Sequence, residues 1–140
     1  MSVPRVHPVH AVADTHAVIW YLYDDPRLST AARDAFTQAA SAGRLVAISP
    51  LTIVEMIYLV ERNRIPREAL DRLMEELDFR RSVLGVFSLN QHIAQTVASI
   101  RRATVPEMPD RVIAATALAL GVPLLTRDAR IRASGVLTIW

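Results

Sequence analysis

Short apolar runs of strand type alternate with helical stretches along this chain, and that alternation leaves few folds open. The clearest case is Val9 to Trp20, an apolar run that stops at Asp14 and passes straight into an apolar helix extending to about Tyr23. Asp24-Asp25-Pro26 breaks that helix, because Pro disfavours helical geometry at the residue before it. Ser29 or Thr30 then caps a helix from Ala31 to about Ala42, ended by Gly43. Leu45 to Ile48 is a second strand, and Ser49-Pro50 opens a third helix over Leu51 to about Arg62 with Pro at its first position. Pro66 opens a fourth helix whose Leu70, Leu73, Met74 and Leu77 follow the helical period. Val83 to Phe87 reads as a third strand. Asn90 caps a fifth helix with Ile93, Val97 and Ile100 as its buried stripe, and Thr104 to Pro109 reads as a loop. A sixth helix runs from about Asp110 to Leu120 and is stopped by Gly121. Leu124 to Thr126 forms a fourth strand, Asp128 to about Ala133 a helical turn, and Val136 to Trp140 a last strand. Strands that alternate with helices predict an α/β domain of three layers, α/β/α, around a largely parallel central sheet.

Chain direction then places the acids. Asp14 and Asp128 directly follow strands, so both lie at carboxyl ends. Glu55 stands in the second turn of the helix that leaves strand two. The helix opened by Asp110 is roughly 16 Å long, about the length of a five-residue strand. It returns to the start of strand four, so Asp110 lies back at the carboxyl edge. In open parallel sheets that edge is where ligands bind. Each acid also has an ordinary reading. Asp14 and Asp110 can cap helices, Asp128 can pair with a neighbouring Arg, and Glu55 can meet an Arg or a solvent-facing stripe. Glu55 is the least ordinary, since it interrupts Ile53-Val54-Glu55-Met56-Ile57-Tyr58-Leu59-Val60, apolar on nearly every face. A buried carboxylate without a partner is costly. Four carboxylates on one rim, without His or Cys, suit a hard cation such as Mg²⁺ or Mn²⁺.

Composition narrows the chemistry further. The chain has no Cys, which excludes disulfides, zinc thiolates and thiol nucleophiles. All sixteen basic residues are Arg, so no Lys is present to serve a P-loop. No Gly-rich turn follows strand one and no nucleophile-elbow pattern is present, which argues against dinucleotide binding and Ser-His-Asp hydrolysis. The amino terminus lacks the apolar core of a signal peptide, and Val112 to Leu125 is too short to span a bilayer. A soluble, cytoplasmic protein without a membrane segment is expected. Net charge is only +2, too small by itself to indicate a nucleic-acid partner.

Asp14-Thr15-His16-Ala17, Thr52-Ile53-Val54-Glu55, Pro109 to Ala117 and Leu124-Leu125-Thr126-Arg127-Asp128 resemble the successive motifs of PIN-domain nucleases, most of all the VapC-type toxins of bacterial toxin–antitoxin pairs. The resemblance spans about Val9 to Trp140, leaving residues 1–8 as a tail. It implies a PIN-like fold over residues 9–140 and a Mg²⁺-dependent (or Mn²⁺-dependent) ribonuclease with single-stranded RNA as substrate. It also implies a homodimer and inhibition by a VapB-like antitoxin. Asp14, Glu55, Asp110 and Asp128 match the metal-binding acids, with Thr126 beside them as a hydroxyl that holds an acid or a water. Asp14 and Asp110 are assigned as the most direct ligands. Arg111, Arg127 and Arg130 are candidates for RNA phosphates. Trp20, Tyr21, Leu22 and Tyr23, with Tyr58, are candidates for an antitoxin groove as well as for core. His16 is expected to point away into the first helix. The alternative function is a non-catalytic PIN-like module that binds RNA or protein.

Overall fold

A computed structural model describes residues 8–140; the tail expected over residues 1–8 therefore lies outside the described residues except for Pro8. Five strands, β1 (Val9–Ala13), β2 (Leu45–Ile48), β3 (Leu84–Val86), β4 (Leu124–Leu125) and β5 (Thr138–Ile139), form one sheet in the order β3-β2-β1-β4-β5. All four pairings are parallel. Pro8 already belongs to this frame, its carbonyl accepting the Leu45 N–H at 3.0 Å.

The helices are α1 (Thr15–Leu22), α2 (Thr30–Ser41), α3 (Pro50–Glu61), α4 (Arg67–Asp78), α5 (Gln91–Thr96), α6 (Met108–Leu120) and α7 (Ala129–Arg132). Side-chain alternation along the strands divides the core in two. Ala11, Ala13, Val46, Ile48 and Leu125 face a layer built with α1, α2, α3 and α4, around Phe36, Met56 and Leu73. Val12, Ala47 and Leu124 face the opposite layer, with Ile93 of α5, Ile113 of α6 and Ile131 of α7. This is the expected three-layer α/β/α arrangement, with a sheet that is wholly parallel.

The strand order locates the crevice. From β1 the chain moves outward through β2 to β3 with its helices on one face. It then crosses to β4 and β5 with its helices on the other. The connections leaving β1 and β4 therefore diverge, and the gap between them at the carboxyl edge is the topological switch point where open α/β sheets take ligands. Asp14 and Thr126 are the first residues beyond those two strands, joined across the gap by the Asp14 N–H donating to the Leu125 carbonyl at 3.1 Å.

Three local expectations are corrected. The fifth helix ends as an α-helix at Thr96 and continues as a 3₁₀ turn over Val97–Ser99, yet Ile93 and Ile100 are buried with Val97 packed beside them, so the expected stripe survives the change of helix type. Helix six starts earlier than expected, at Met108, with Pro109 inside its first turn, where a missing N–H costs nothing. Asp110 is consequently a first-turn residue and not the cap. Helix three is also not buried on most faces. Met56 is fully buried, but Val54, Ile57 and Tyr58 are exposed because within one chain nothing packs on that side. None of the described helices is long and apolar enough to cross a membrane.

Candidate functional site

Asp14 is placed by the start of α1. It is the N-cap, and its Oδ1 accepts the Ala17 N–H at 2.9 Å. Capping and lining the crevice are thus compatible, and the choice posed by the sequence does not arise. The fully buried Thr126 has its hydroxyl beside the Asp14 carboxylate, where it favours the charged form, and it also accepts the Asp128 N–H at 3.0 Å. Asp128 caps α7 in turn, its Oδ1 accepting the Arg130 N–H at 2.8 Å. From the opposite wall, Glu55 on α3 accepts a 2.7 Å hydrogen bond from the hydroxyl of Thr15, which lies 3.3 Å from the buried Thr52 hydroxyl. Asp110 projects from the first turn of α6, where the helix dipole favours an acid.

Asp14, Glu55, Asp110 and Asp128 line one cavity of about 470 Å³ together with Thr15, His16, Trp20, Arg127 and Arg130. Electrostatics show how closely they crowd. Burial pushes Asp14 above the usual carboxylate range despite the Thr126 and Ala17 hydrogen bonds, and Asp128 adds repulsion. Burial likewise raises Glu55, against the pull of Thr15 and His16 and with the push of Asp14. Asp110 is pushed up to about 6, first by burial and then by Glu55, Asp128 and Asp14, with only Arg130 opposing. The Arg130 guanidinium is 3.6 Å from Asp128, an exposed and weak pairing. The cavity therefore carries more negative charge than its own cations offset.

This donor set fits a hard cation in kind. Among the described residues, no three of His, Cys, Asp and Glu stand close enough together to hold an ion. A larger cavity of about 580 Å³ lies on the side of Tyr21, Phe36 and Phe79. Of its charged side chains, Arg33 pairs with Asp24 and Glu76 accepts from the Ser82 hydroxyl, and it gathers no comparable set of carboxylates.

Three side chains differ from the sequence reading. His16 does not point away; it lines the acid cavity, its ring 5.7 Å from that of Trp20. The signal was the four-residue spacing of His16 and Trp20, which puts both on one side of α1. Thr15, missed altogether, is placed by its position one residue past the cap. Arg111, expected to meet phosphates, turns inward. Its Nε and Nη2 donate to the Ile100 carbonyl at 3.0 and 2.8 Å, and Nη2 also to the Val97 carbonyl at 3.1 Å. It thereby ties down the 3₁₀ turn. Arg111→Gln is expected to lower stability by about 1.5 kcal/mol, the worth of a charge-assisted bond. The midpoint of urea unfolding measures this, and an unchanged midpoint would refute the structural role.

Of the aromatic residues considered for a groove, Trp20 is buried and Tyr21 stacks on Phe36 at 4.0 Å, so both serve the core. Tyr58 is more than half exposed.

The family model that matches this chain is the PIN domain, over residues 11–136. A similar protein is Ribonuclease VapC22 of Mycobacterium tuberculosis, 28% identical over 121 residues, covering 85% of this chain and 87% of that protein. Solved structures with a similar fold include VapBC2 from Rickettsia felis bound to a DNA fragment from its promoter, with TM-score 0.69, 15% identity and coverage of 93% of this chain and 97% of that chain. DNA-bound VapBC from Salmonella typhimurium has TM-score 0.68 at 22% identity, covering 93% of this chain and 96% of that chain. FitAcB from Neisseria gonorrhoeae has TM-score 0.61 at 20% identity, covering 91% and 95%.

Proposed function

The chain belongs to the PIN domain family, and from that premise we propose that it is a VapC-like ribonuclease toxin that hydrolyses RNA phosphodiester bonds in the cytoplasm. The observation that carries this reading is the convergence of four carboxylates, from four separate elements, on one cavity at the switch point of a parallel sheet. A module that merely bound RNA would gain nothing by gathering negative charge where a polyanion must lie.

Asp14 and Asp110 are proposed as the principal ligands of a Mg²⁺ or Mn²⁺ ion, with Glu55 and Asp128 completing or orienting the set. Such an ion, when bound, polarises a phosphodiester and lowers the pKa of water. The chain's own residues prepare that site. Thr126 holds Asp14 on one side and fixes the Asp128 backbone on the other. Thr15 holds one oxygen of Glu55 and leaves the other to turn inward. Arg127 and Arg130, both exposed at the rim, are positioned to attract phosphates. A VapB-like antitoxin and a homodimer follow from the same reading. It is supported by the protein named Ribonuclease VapC22 and by structures titled as VapBC complexes. The exposed Val54, Ile57 and Tyr58 face of α3 offers apolar area for such contacts.

The test is hydrolysis of labelled single-stranded RNA by the purified chain. Cutting in Mg²⁺ that stops on addition of EDTA is expected. Intact RNA under both conditions would favour the non-catalytic module.

A further inference from the structure

The acid cavity does not stop at the acids. A second cavity of about 370 Å³ shares His16 and Trp20 with it and continues to Arg27, Arg62 and Arg64, with no carboxylate in its lining. Two of these arginines sit at the end of α3, where backbone hydrogen bonds fix the turn. Arg62 is the C-cap, its N–H donating to the Tyr58 carbonyl at 2.9 Å, and Asn63 follows with φ 56. The Arg64 N–H then donates back to the Leu59 carbonyl at 2.8 Å, closing a Schellman turn. Asn tolerates that left-handed geometry, so the turn needs no Gly.

Among the described residues, neither Arg62 nor Arg64 pairs with a carboxylate, and both are exposed. The Arg62 guanidinium instead lies 5.9 Å from the Tyr58 ring centroid. At the junction of the two cavities, Arg27 and Arg127 lie over the Trp20 ring at 5.1 and 5.8 Å. Aromatic faces hold a guanidinium in place without neutralising it. Arg27 is tied to Asp25 as well; Arg62, Arg64 and Arg127 keep their charge for something else.

Resting on the ribonuclease reading, we infer that this basic cavity is the track for single-stranded RNA on one side of the bond to be cut, with Arg62 and Arg64 gripping backbone phosphates. A strand whose phosphate lies among four acids is repelled there and must be held beyond them, and this is the adjoining wall where cations stand unopposed. Trp20 is only 8% exposed, so it is a floor for guanidinium groups and offers no face for a base to stack on. The arginines of the track therefore meet phosphates and not base edges.

The experiment measures anisotropy of a labelled oligouridylate of about twelve nucleotides, in EDTA so that metal-dependent cutting is silent. Arg62→Gln with Arg64→Gln is expected to weaken binding about tenfold and to reduce the slope of log K against log salt by about 1.4. Lys at both positions is expected to restore most of the affinity, since a phosphate accepts either cation. Arg80→Gln with Arg81→Gln removes equal charge at the opposite, amino edge of the sheet and should change neither quantity. Equal binding by wild type and the Arg62/Arg64 double variant would overturn the track, as would an equal loss in the Arg80/Arg81 control. So would a wild-type chain that holds polyglutamate and not RNA, which would make the cavity a site for acidic protein. RNA cleavage by the wild type is read separately and decides the ribonuclease reading by itself.

Discussion

Asp14→Asn is expected to lower Mg²⁺-dependent RNA cleavage by at least ~100-fold, about 2.7 kcal/mol of barrier, and to leave the fold as before. The substitution separates the two duties of this residue. Asn caps a helix about as well as Asp, so the bond to the Ala17 N–H survives and α1 starts where it did. What disappears is an anionic oxygen in a cavity whose proposed chemistry consists of gathering a cation against a phosphate. Metal-free stability should even rise slightly, because burial already penalises the Asp14 charge. Cleavage of a labelled strand and a thermal melt on the same preparation measure both. Undiminished cutting would remove Asp14 from the chemistry; a collapsed melt would show that the cap, not the site, had been lost.

The second large effect joins pH to Mg²⁺. Asp14, Glu55 and Asp110 all have their pKa raised by folding, with Asp110 at about 6. A carboxyl whose folded pKa is higher binds its proton more tightly in the native state than in the unfolded chain. Stability is then greatest below the ordinary carboxylate value and falls as pH rises through the folded one. Without divalent ions, the melting temperature should fall between about pH 4 and pH 6–7, the window set by Asp110. A cation that binds the ionised set reverses that loss. At a concentration one hundred times its dissociation constant, Mg²⁺ contributes about 2.7 kcal/mol, roughly 8 °C for a domain of this size. The shift should vanish near pH 4, where protons occupy the ligands. The measurement is a thermal melt across pH with EDTA or Mg²⁺. A melting temperature indifferent to Mg²⁺ at neutral pH would mean that these acids hold no ion.

Much of this was legible because parallel strands carry a direction. Once Asp14 and Asp128 are seen to follow strands, and Asp110 to open a helix that returns to one, their common edge follows without coordinates. Caps were legible too: Ser29, Ser49 and Asn90 each accept a backbone N–H from the helix they open. Other features depended on facts that periodicity does not carry. The inward turn of Arg111 answers the Ile100 carbonyl where the 3₁₀ turn after α5 ends, and no pattern in the sequence announces that change. The placement of His16 depends on how the first turn of α1 leaves its cap. The apolar run around Glu55 seemed to demand burial on every side, yet an apolar face says only that something covers it, not that its own chain does.

The hydrogen bond between the Asp14 carboxylate and the Ala17 N–H has a wider consequence. A side chain on a free loop must be immobilised afresh each time it is used, whereas this one is already seated by the backbone ladder that begins α1. The site's precision is thus inherited from secondary structure, and it persists for as long as that first turn stays wound. Fraying there would disarm the protein while most of its core remained intact.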